Sequence, residues 1–220
     1  MAIAQGNLFG HLHGKIGSMY GRDINGKNVI ASMPTRNPRI PTLAEVQRRE
    51  SFSALSSLAG EFNDVIQIGL KNYKNKNRLA VPRNAFIHIN KDIYSFDNFG
   101  HLVFHFKDLM FSHGRMPMPV LDSMRPGPSS YDITVQLKET GDEPGCSLAD
   151  EFIVVAYDID VKEHFIQRCT REFPKVTFYD IPVSWKSTNI NFYTFALGKD
   201  TYNKNESSDT AYLGEIRFEP

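Results

Sequence analysis

The residues able to do chemistry are few, and their spacing does not assemble them into a site. His11 and His13 flank Leu12, a pair able to chelate a metal. A protein metal site takes three or four ligands, and no carboxylate or cysteine lies near this pair to complete one. His101 and His105 fall on one face of an expected strand, with Val103 between them and Lys107 next in line, which suits a polar outer face. His88 and His113 stand alone. Cys146 lies in a turn-rich loop and Cys169 at the end of a strand. Neither has the helix start or basic neighbours that lower a thiol pKa. Asp158 and Asp160 lack the further oxygen ligands and the glycine of a calcium loop, so Asp-Ile-Asp reads as a turn. Gly14-Lys15-Ile16-Gly17-Ser18 has neither the preceding long strand nor the following helix of a phosphate loop. The expectation is a non-enzymatic chain with no catalytic residue, no cofactor and no metal.

The elements that would carry these residues fall into three stretches, 1–41, 42–91 and 92–220. The first is punctuated by glycines at 6, 10, 14, 17, 21 and 26, and Asn25-Gly26 is a strong two-residue hairpin signal. It reads as an extended arm with hairpin turns, unable to bury a core alone, that packs on another surface. Residues 34–41 hold three prolines and should be extended. Thr42 with Glu45 forms a capping box. Leu43, Val46, Phe52, Leu55, Leu58, Phe62 and Ile66 then mark an amphipathic helix, with Gly60 as a break or a tight contact. That pattern fades over Lys71–Asn77, and Val81–Asn90 reads as a connector.

From residue 92 the period becomes two. Leu102, Phe104 and Phe106 alternate with Val103, His105 and Lys107, and Tyr131, Ile133, Val135 and Leu137 alternate with polar neighbours. Phe152–Tyr157 is apolar on both faces and belongs inside a sheet. Further runs lie near 164–169, 175–180, 189–197 and 211–218, where Tyr212, Gly214, Ile216 and Phe218 should share a face. Pro117, Pro119, Pro126 and Pro128 mark a long loop, and Trp185 a loop on the sandwich edge. About seven strands with turn signals between them specify an immunoglobulin- or fibronectin-like antiparallel β-sandwich behind an N-terminal arm and α segment.

The chain has equal numbers of acidic and basic residues, 25 of each. Residues 1–91 carry 13 Lys and Arg against 5 Asp and Glu, a balance of +8, and residues 92–220 carry 12 against 20, a balance of −8. Such a split suits an acidic partner, either nucleic acid or the acidic half of a second copy. The aromatics of 71–91 are sparse, Tyr73 and Phe86, which gives little for base stacking. Two cysteines exclude a disulfide scaffold and fit a reducing compartment. Met1 to Gly17 lacks the pattern of a signal peptide, and no run reaches the roughly 20 apolar residues of a membrane helix. A protein made and kept in a cytoplasm, with no membrane partner, is expected.

One set of residues carries a likeness. Gly10-His11-Leu12-His13-Gly14-Lys15-Ile16-Gly17-Ser18-Met19-Tyr20-Gly21 is followed by Gly26-Lys27-Asn28-Val29-Ile30 and Met33-Pro34. Asn37-Pro38-Arg39, Gln47-Arg48-Arg49, Phe52 and Ile68-Gly69-Leu70 continue it, and Ala211-Tyr212-Leu213-Gly214 closes it. The pattern resembles a family of proteins of about this length from Bacteroidota and their crAss-like phages, with an N-terminal GKxGxxxG…NPR…QR signature and a C-terminal β-sandwich. The likeness is strong to about residue 90 and loose beyond. It departs at Asp23-Ile24-Asn25-Gly26, where the family has a tryptophan, and at Arg39-Ile40-Pro41-Thr42-Leu43-Ala44-Glu45. The family brings no catalytic residues. Its phage members are virion, neck or tail components.

The resemblance, the arm and the charge split together lead to an expected structural subunit of a phage virion, a neck or tail ring protein. It would be assembled in the host cytoplasm and bind copies of itself and other virion proteins. The residues expected to make those contacts are Lys15, Ile16, Arg22, Val29, Ile30, Arg36, Arg39, Arg48, Arg49, Lys71, Lys74, Lys76, Arg78 and Arg83. A non-catalytic cellular module gripping a ligand or glycan through loops such as 112–130 is the alternative. Nucleic-acid binding through 71–91 is a third.

Overall fold

The computed structural model describes residues 2–3, 13–24, 27–33, 40–75, 78–126, 132–139, 146–179, 181–182, 185, 189–200, 204 and 206–217. They form two compact units, Met1–Leu43 and Ala44–Pro220.

The first unit is an antiparallel sheet of β1 (Ala2–Ile3), β2 (Gly14–Ile16), β3 (Met19–Ile24) and β4 (Lys27–Ser32), in the order β1-β4-β3-β2. Ile24 pairs with Lys27 around the expected two-residue turn at 25–26, and Ile16 pairs with Met19 around Gly17-Ser18. Gly17 has φ 58°, a value an L side chain resists. The expected arm is therefore a three-stranded meander, β2–β3–β4, with β1 added to the outer edge of β4.

The second unit opens with α1 (Leu43–Glu61), whose first residue ends the first unit, and α2 (Asn63–Gly69). The helix does not break at Gly60, which has open space around it. It breaks at Phe62, whose backbone leaves the helical region (φ −97°, ψ 25°) as its fully buried ring enters the core. Only the later turns of α1 are amphipathic as expected. Ser51, Leu55, Leu58 and Ala59 are buried, whereas Leu43, Val46 and Phe52 are 73%, 43% and 59% exposed.

Lys74–Asn75 (β5) and Arg78–Leu79 (β6) then form a short hairpin. The stretch read as a connector is instead α3 (Pro82–Ile89). Pro82 sits in the first turn, where its missing N–H costs nothing. Ala85 and Phe86 fill the core.

β7 (Tyr94–Phe96) and β8 (Leu102–Phe104) make a separate hairpin, and Phe106–Asp108 is a 3-10 turn. Leu102 and Phe104 thus lie outside the sandwich, contrary to the alternation read through Phe106. The missing strand is β9 (Leu121–Pro126), hidden in sequence by its prolines, so the proline-rich loop is shorter than expected.

β10 (Ile133–Leu137), β11 (Glu151–Asp158), β12 (Glu163–Thr170), β13 (Lys175–Phe178), β14 (Asn189–Leu197) and β15 (Ala211–Arg217) complete it. One sheet has the order β13-β10-β9 and the other β12-β11-β14-β15, all antiparallel. Seven strands divided three against four, with β13 returning beside β10, make a fibronectin- or immunoglobulin-like sandwich. The protein is mostly β with an N-terminal α segment.

β11 explains its own sequence. Phe152, Val154 and Ala156 face the core between the sheets, with Val135, Phe178, Phe192 and Trp185. Ile153, Val155 and Tyr157 face the opposite way, into a core built with Leu55, Phe62 and Phe86 of the helices. The helices thus form a third layer on the four-stranded sheet, and alternate residues of β14 serve the two cores likewise.

Trp185, expected on the sandwich edge, is wholly buried in the core between the sheets beside the edge strand β12, with its ring 5.1 Å from that of Phe165. Its indole N–H reaches Glu163 Oε2 at 3.3 Å. A bulge opposite Phe192/Tyr193 makes Leu213 the extra residue of β15. Tyr212 consequently packs on the helical core while Leu213 and Ile216 join the sandwich core, so they do not share the single face the alternation implied.

Candidate functional site

Gly69 ends α2 pressed against the chain at Phe111. A Cβ added there would lie 2.3 Å from the Phe111 carbonyl oxygen, so only glycine fits. Ser112 Oγ donates to Gly69 O at 3.1 Å, and Thr210 Oγ1 accepts the N–H groups of Phe111 (2.8 Å) and Ser112 (2.9 Å). One step further, Gly114 packs on Ser207, where a Cβ would fall 1.8 Å from the Ser207 carbonyl oxygen. Gly114 N–H donates to Asp209 at 3.1 Å, Met116 N–H to Ser207 O at 3.1 Å, and His113 pairs with Asp209 at 2.7 Å. These bonds fix three segments side by side: the turn after α2, the 111–116 stretch, and the strand-like 206–210.

Between these segments lies an open basin of about 700 Å³ lined by Asn72, Tyr73, Lys74, His113, Gly114, Arg115, Lys204, Glu206 and Ser207. A second hollow of about 360 Å³ shares Asn72, Lys204, Glu206 and Ser207 with it and adds Lys71, Glu151, Arg168 and Lys199. The two make one trough with six cations and two carboxylates on its walls. Glu151 is engaged by Lys199 (3.0 Å) and Arg168 (3.6 Å). Among the described residues, Lys71, Lys74, Arg115 and Lys204 form no ion pair. Tyr73 rests partly on the helical core and sets its ring edge-on to His113, 5.8 Å between centroids. The trough can bind anions and has a ring on which a flat group can rest.

The chain is similar in structure to the fibronectin type III domain of human collagen alpha-1(XX), at 13% identity and TM-score 0.35, over 49% of this chain and 88% of that one. It is similar also to the fibronectin type III domain of human contactin 1, at 10% identity and TM-score 0.31, over 50% of this chain and 84% of that one. No protein-family model and no curated protein matches the sequence.

Of the residues expected to make assembly contacts, only Lys71 and Lys74 come together in the trough. Lys15 and Arg22 are exposed on β2 and β3, with the Arg22 guanidinium 5.8 Å from the Tyr20 ring. Ile16 lies in β2. Val29 is buried, at 6% exposure, and Ile30 half-buried. As neighbours on β4 these two occupy opposite faces of the sheet. Arg48 and Arg49 are exposed on α1. Arg83 donates to Ser56 O (2.9 Å) and Oγ (2.8 Å), tying α3 to α1. Arg78 lies in β6, and Arg36, Arg39 and Lys76 are outside the described residues. Arg115, Arg168, Lys199 and Lys204 went unnoticed in the sequence. They come from the acidic half, and no local pattern joins them to Lys71 and Lys74.

The other reactive groups have structural partners. His101 and Asp97 pair at 3.1 Å, and the backbone N–H of His101 holds the Asp97 carboxyl below its ordinary value. His105 meets Ser95 Oγ at 2.9 Å, and His164 meets Asp64 at 2.8 Å beside the Phe62 ring. Asp158 accepts the N–H groups of Asp160 (2.9 Å) and Val161 (3.0 Å), the turn expected there. Burial pushes the Cys169 thiol up to about 12 and raises the phenols of Tyr157 and Tyr193. Among the described residues no three His, Cys, Asp or Glu gather as a metal site, and no helix is long and apolar enough to cross a membrane.

Proposed function

We propose that this chain is a non-catalytic structural subunit of a phage particle, of the neck or tail ring type, whose β1–β4 sheet docks on a neighbouring copy. The observation that carries the reading is the state of that sheet. Across its described residues only Gly21 and Val29 are buried, while Met19 and Met33 stand 48% and 40% exposed. Tyr20, Val29 and Ala31 share one face, Met19 and Ile30 the other, by cross-strand register. A sheet with apolar residues on both faces and almost no core of its own requires a covering surface. A unit of about 40 residues seldom stands without a metal, a disulfide or a partner. The likeness to the phage family, strong to about residue 90, supplies the setting, and the +8 and −8 halves supply a means of orienting copies head to tail.

Surface ion pairs contribute only about 0–1 kcal/mol each, so apolar burial by the sheet supplies most of the affinity and charge sets the register. Mass photometry of the full chain, a chain lacking residues 1–33 and the Val29→Asp variant, across a salt series, tests this. The full chain should form oligomers that weaken but persist in high salt, and the other two should remain single. An unchanged oligomer in the shortened chain refutes the reading.

A further inference from the structure

We propose that the trough between the α2–β5 turn and the β14–β15 connection binds single-stranded nucleic acid. Phosphates would lie along Lys71, Lys74, Arg115 and Lys204, and a base would rest on Tyr73. This site is separate from the β1–β4 sheet and stands independently of the assembly reading.

The charges make the first argument. Four cations without an ion-pair partner among the described residues converge from three segments on one concavity. All four side chains are exposed, so an anion seated in the concavity would meet several positive charges at once. Of the two carboxylates on the walls, Glu151 is already held by Arg168 and Lys199, which leaves Glu206 alone against the four cations. Two of the four cations belong to the half of the chain whose balance is −8, so the positive field arises from folding, not from local composition.

Shape and rigidity make the second. The two hollows share a wall and continue one another, which suits an extended polymer better than an enclosed small molecule. The backbones at Gly114 and Ser207 approach closely enough to exclude any side chain, and Met116 N–H donates to Ser207 O, so the wall carries Arg115 on a hydrogen-bonded stretch before any ligand binds.

Tyr73 decides the class of anion. Its ring is braced against the core and against His113, and it borders the basin beside Lys74. Alternating cations with a fixed aromatic face is how single strands are gripped without sequence readout. An acidic protein segment would need apolar seats for its side chains, and the walls are mainly polar and charged.

The experiment is fluorescence anisotropy of the full-length protein with a labelled oligothymidylate of about 16 nucleotides, the upper site size for one such groove. Four phosphate contacts predict a slope of about −2.8 in log K against log salt, or about 50-fold weakening from 50 to 200 mM. Lys71→Gln with Lys74→Gln should lower the slope to about −1.4, as should Arg115→Gln with Lys204→Gln. Tyr73→Ala should weaken binding about 5- to 150-fold with the slope unchanged. Lys107→Gln with Lys175→Gln, exposed residues outside the trough, should change nothing. Ultraviolet cross-linking of the unaltered protein to the oligonucleotide should mark Tyr73, a readout that no variant's folding can confuse. The proposal is overturned if the trough variants bind as the unaltered protein does or cross-links fall elsewhere. It is equally overturned if polyglutamate of equal charge displaces the oligonucleotide as well as unlabelled strand, which would make the occupant an acidic protein.

Discussion

Removing the Asp150 carboxylate should destabilise the sandwich more than any surface change, and the structure permits the loss to be worked out. The Asp150 and Arg171 side chains are 0% and 1% exposed, with Arg171 Nε 3.6 Å from Asp150 Oδ2. At an effective dielectric of about 20 that separation corresponds to attraction on the order of 4–5 kcal/mol, before the cost of desolvating both ions. Asp150 also accepts the backbone N–H of Ser147 (2.8 Å) and of Lys199 (3.2 Å), joining the starts of β11 and of the β14–β15 connection. Arg171 lies 4.9 Å above the Phe152 ring. Asp150→Ala deprives a water-excluded guanidinium of this carboxylate and two amides of their acceptor, and should cost about 3–5 kcal/mol. For a chain of this size that is a fall in Tm of about 6–20 °C. Arg171→Met should cost less, because Asp150 keeps its two N–H donors, and the double variant should lose less than the two singles combined. Urea unfolding followed by Trp185 fluorescence measures this, since the only tryptophan is buried in the same core as Phe152. The reasoning fails if Asp150→Ala costs under about 1 kcal/mol, or if the two single losses add within about 0.5 kcal/mol.

Three further outcomes are expected. Gly114→Ala should lose about 1–3 kcal/mol, because its methyl group meets the Ser207 carbonyl; a thermal shift under 1 °C would contradict the close contact. Asn90 is wholly buried, donating to Phe86 O (3.0 Å) and Met110 O (2.8 Å) and accepting from Met110 N–H (2.8 Å). Asn90→Ala should therefore cost about 2–4 kcal/mol by urea titration, from orphaned groups at about 1–3 kcal/mol each. Cys169, pushed up to about 12 by burial, holds little thiolate near pH 8. Maleimide labelling read by mass spectrometry should be at least about a hundredfold slower there than in urea-unfolded protein. For the same thiol the folded value lies above the unfolded one near 8.5. Its contribution to stability is thus complete below that pH and declines as pH rises toward 12.

The sandwich was legible where one strand met one face rule. Ile133, Val135 and Leu137 alternate because one side of β10 is core, and Phe152–Tyr157 is continuous because β11 has a core on either side. Where two signals competed, the local one misled. The stretch 81–90 read as a connector although a helix's first turn tolerates Pro82, and Pro126 read as loop although β9 is an edge strand, where a proline is admitted. Trp185 lay among turn residues, and nothing nearby records that the loop folds its ring between the sheets. The bulge at Leu213 was equally invisible, since an inserted residue leaves the composition of β15 unchanged.

The site was less legible than the fold for a related reason. Counting charge along the chain divides it at residue 91, giving a basic half and an acidic half. Folding does not respect that division: it brings Arg115, Arg168, Lys199 and Lys204 to Lys71 and Lys74 and pairs Glu151 internally, leaving Glu206 the one trough acid outside those pairs. The positive field of the trough therefore depends on the hydrogen bonds of Thr210 and Asp209 that hold 111–116 against 206–210, as much as on the cations. The β1–β4 sheet shows the opposite case. Its glycines and short apolar runs were plain in the sequence, yet the exposure of Met19 and Met33, and the burial of Val29 on the opposite face from Met19, were not. Exposed apolar side chains mark the sheet, and cations with no ion-pair partner among the described residues mark the trough.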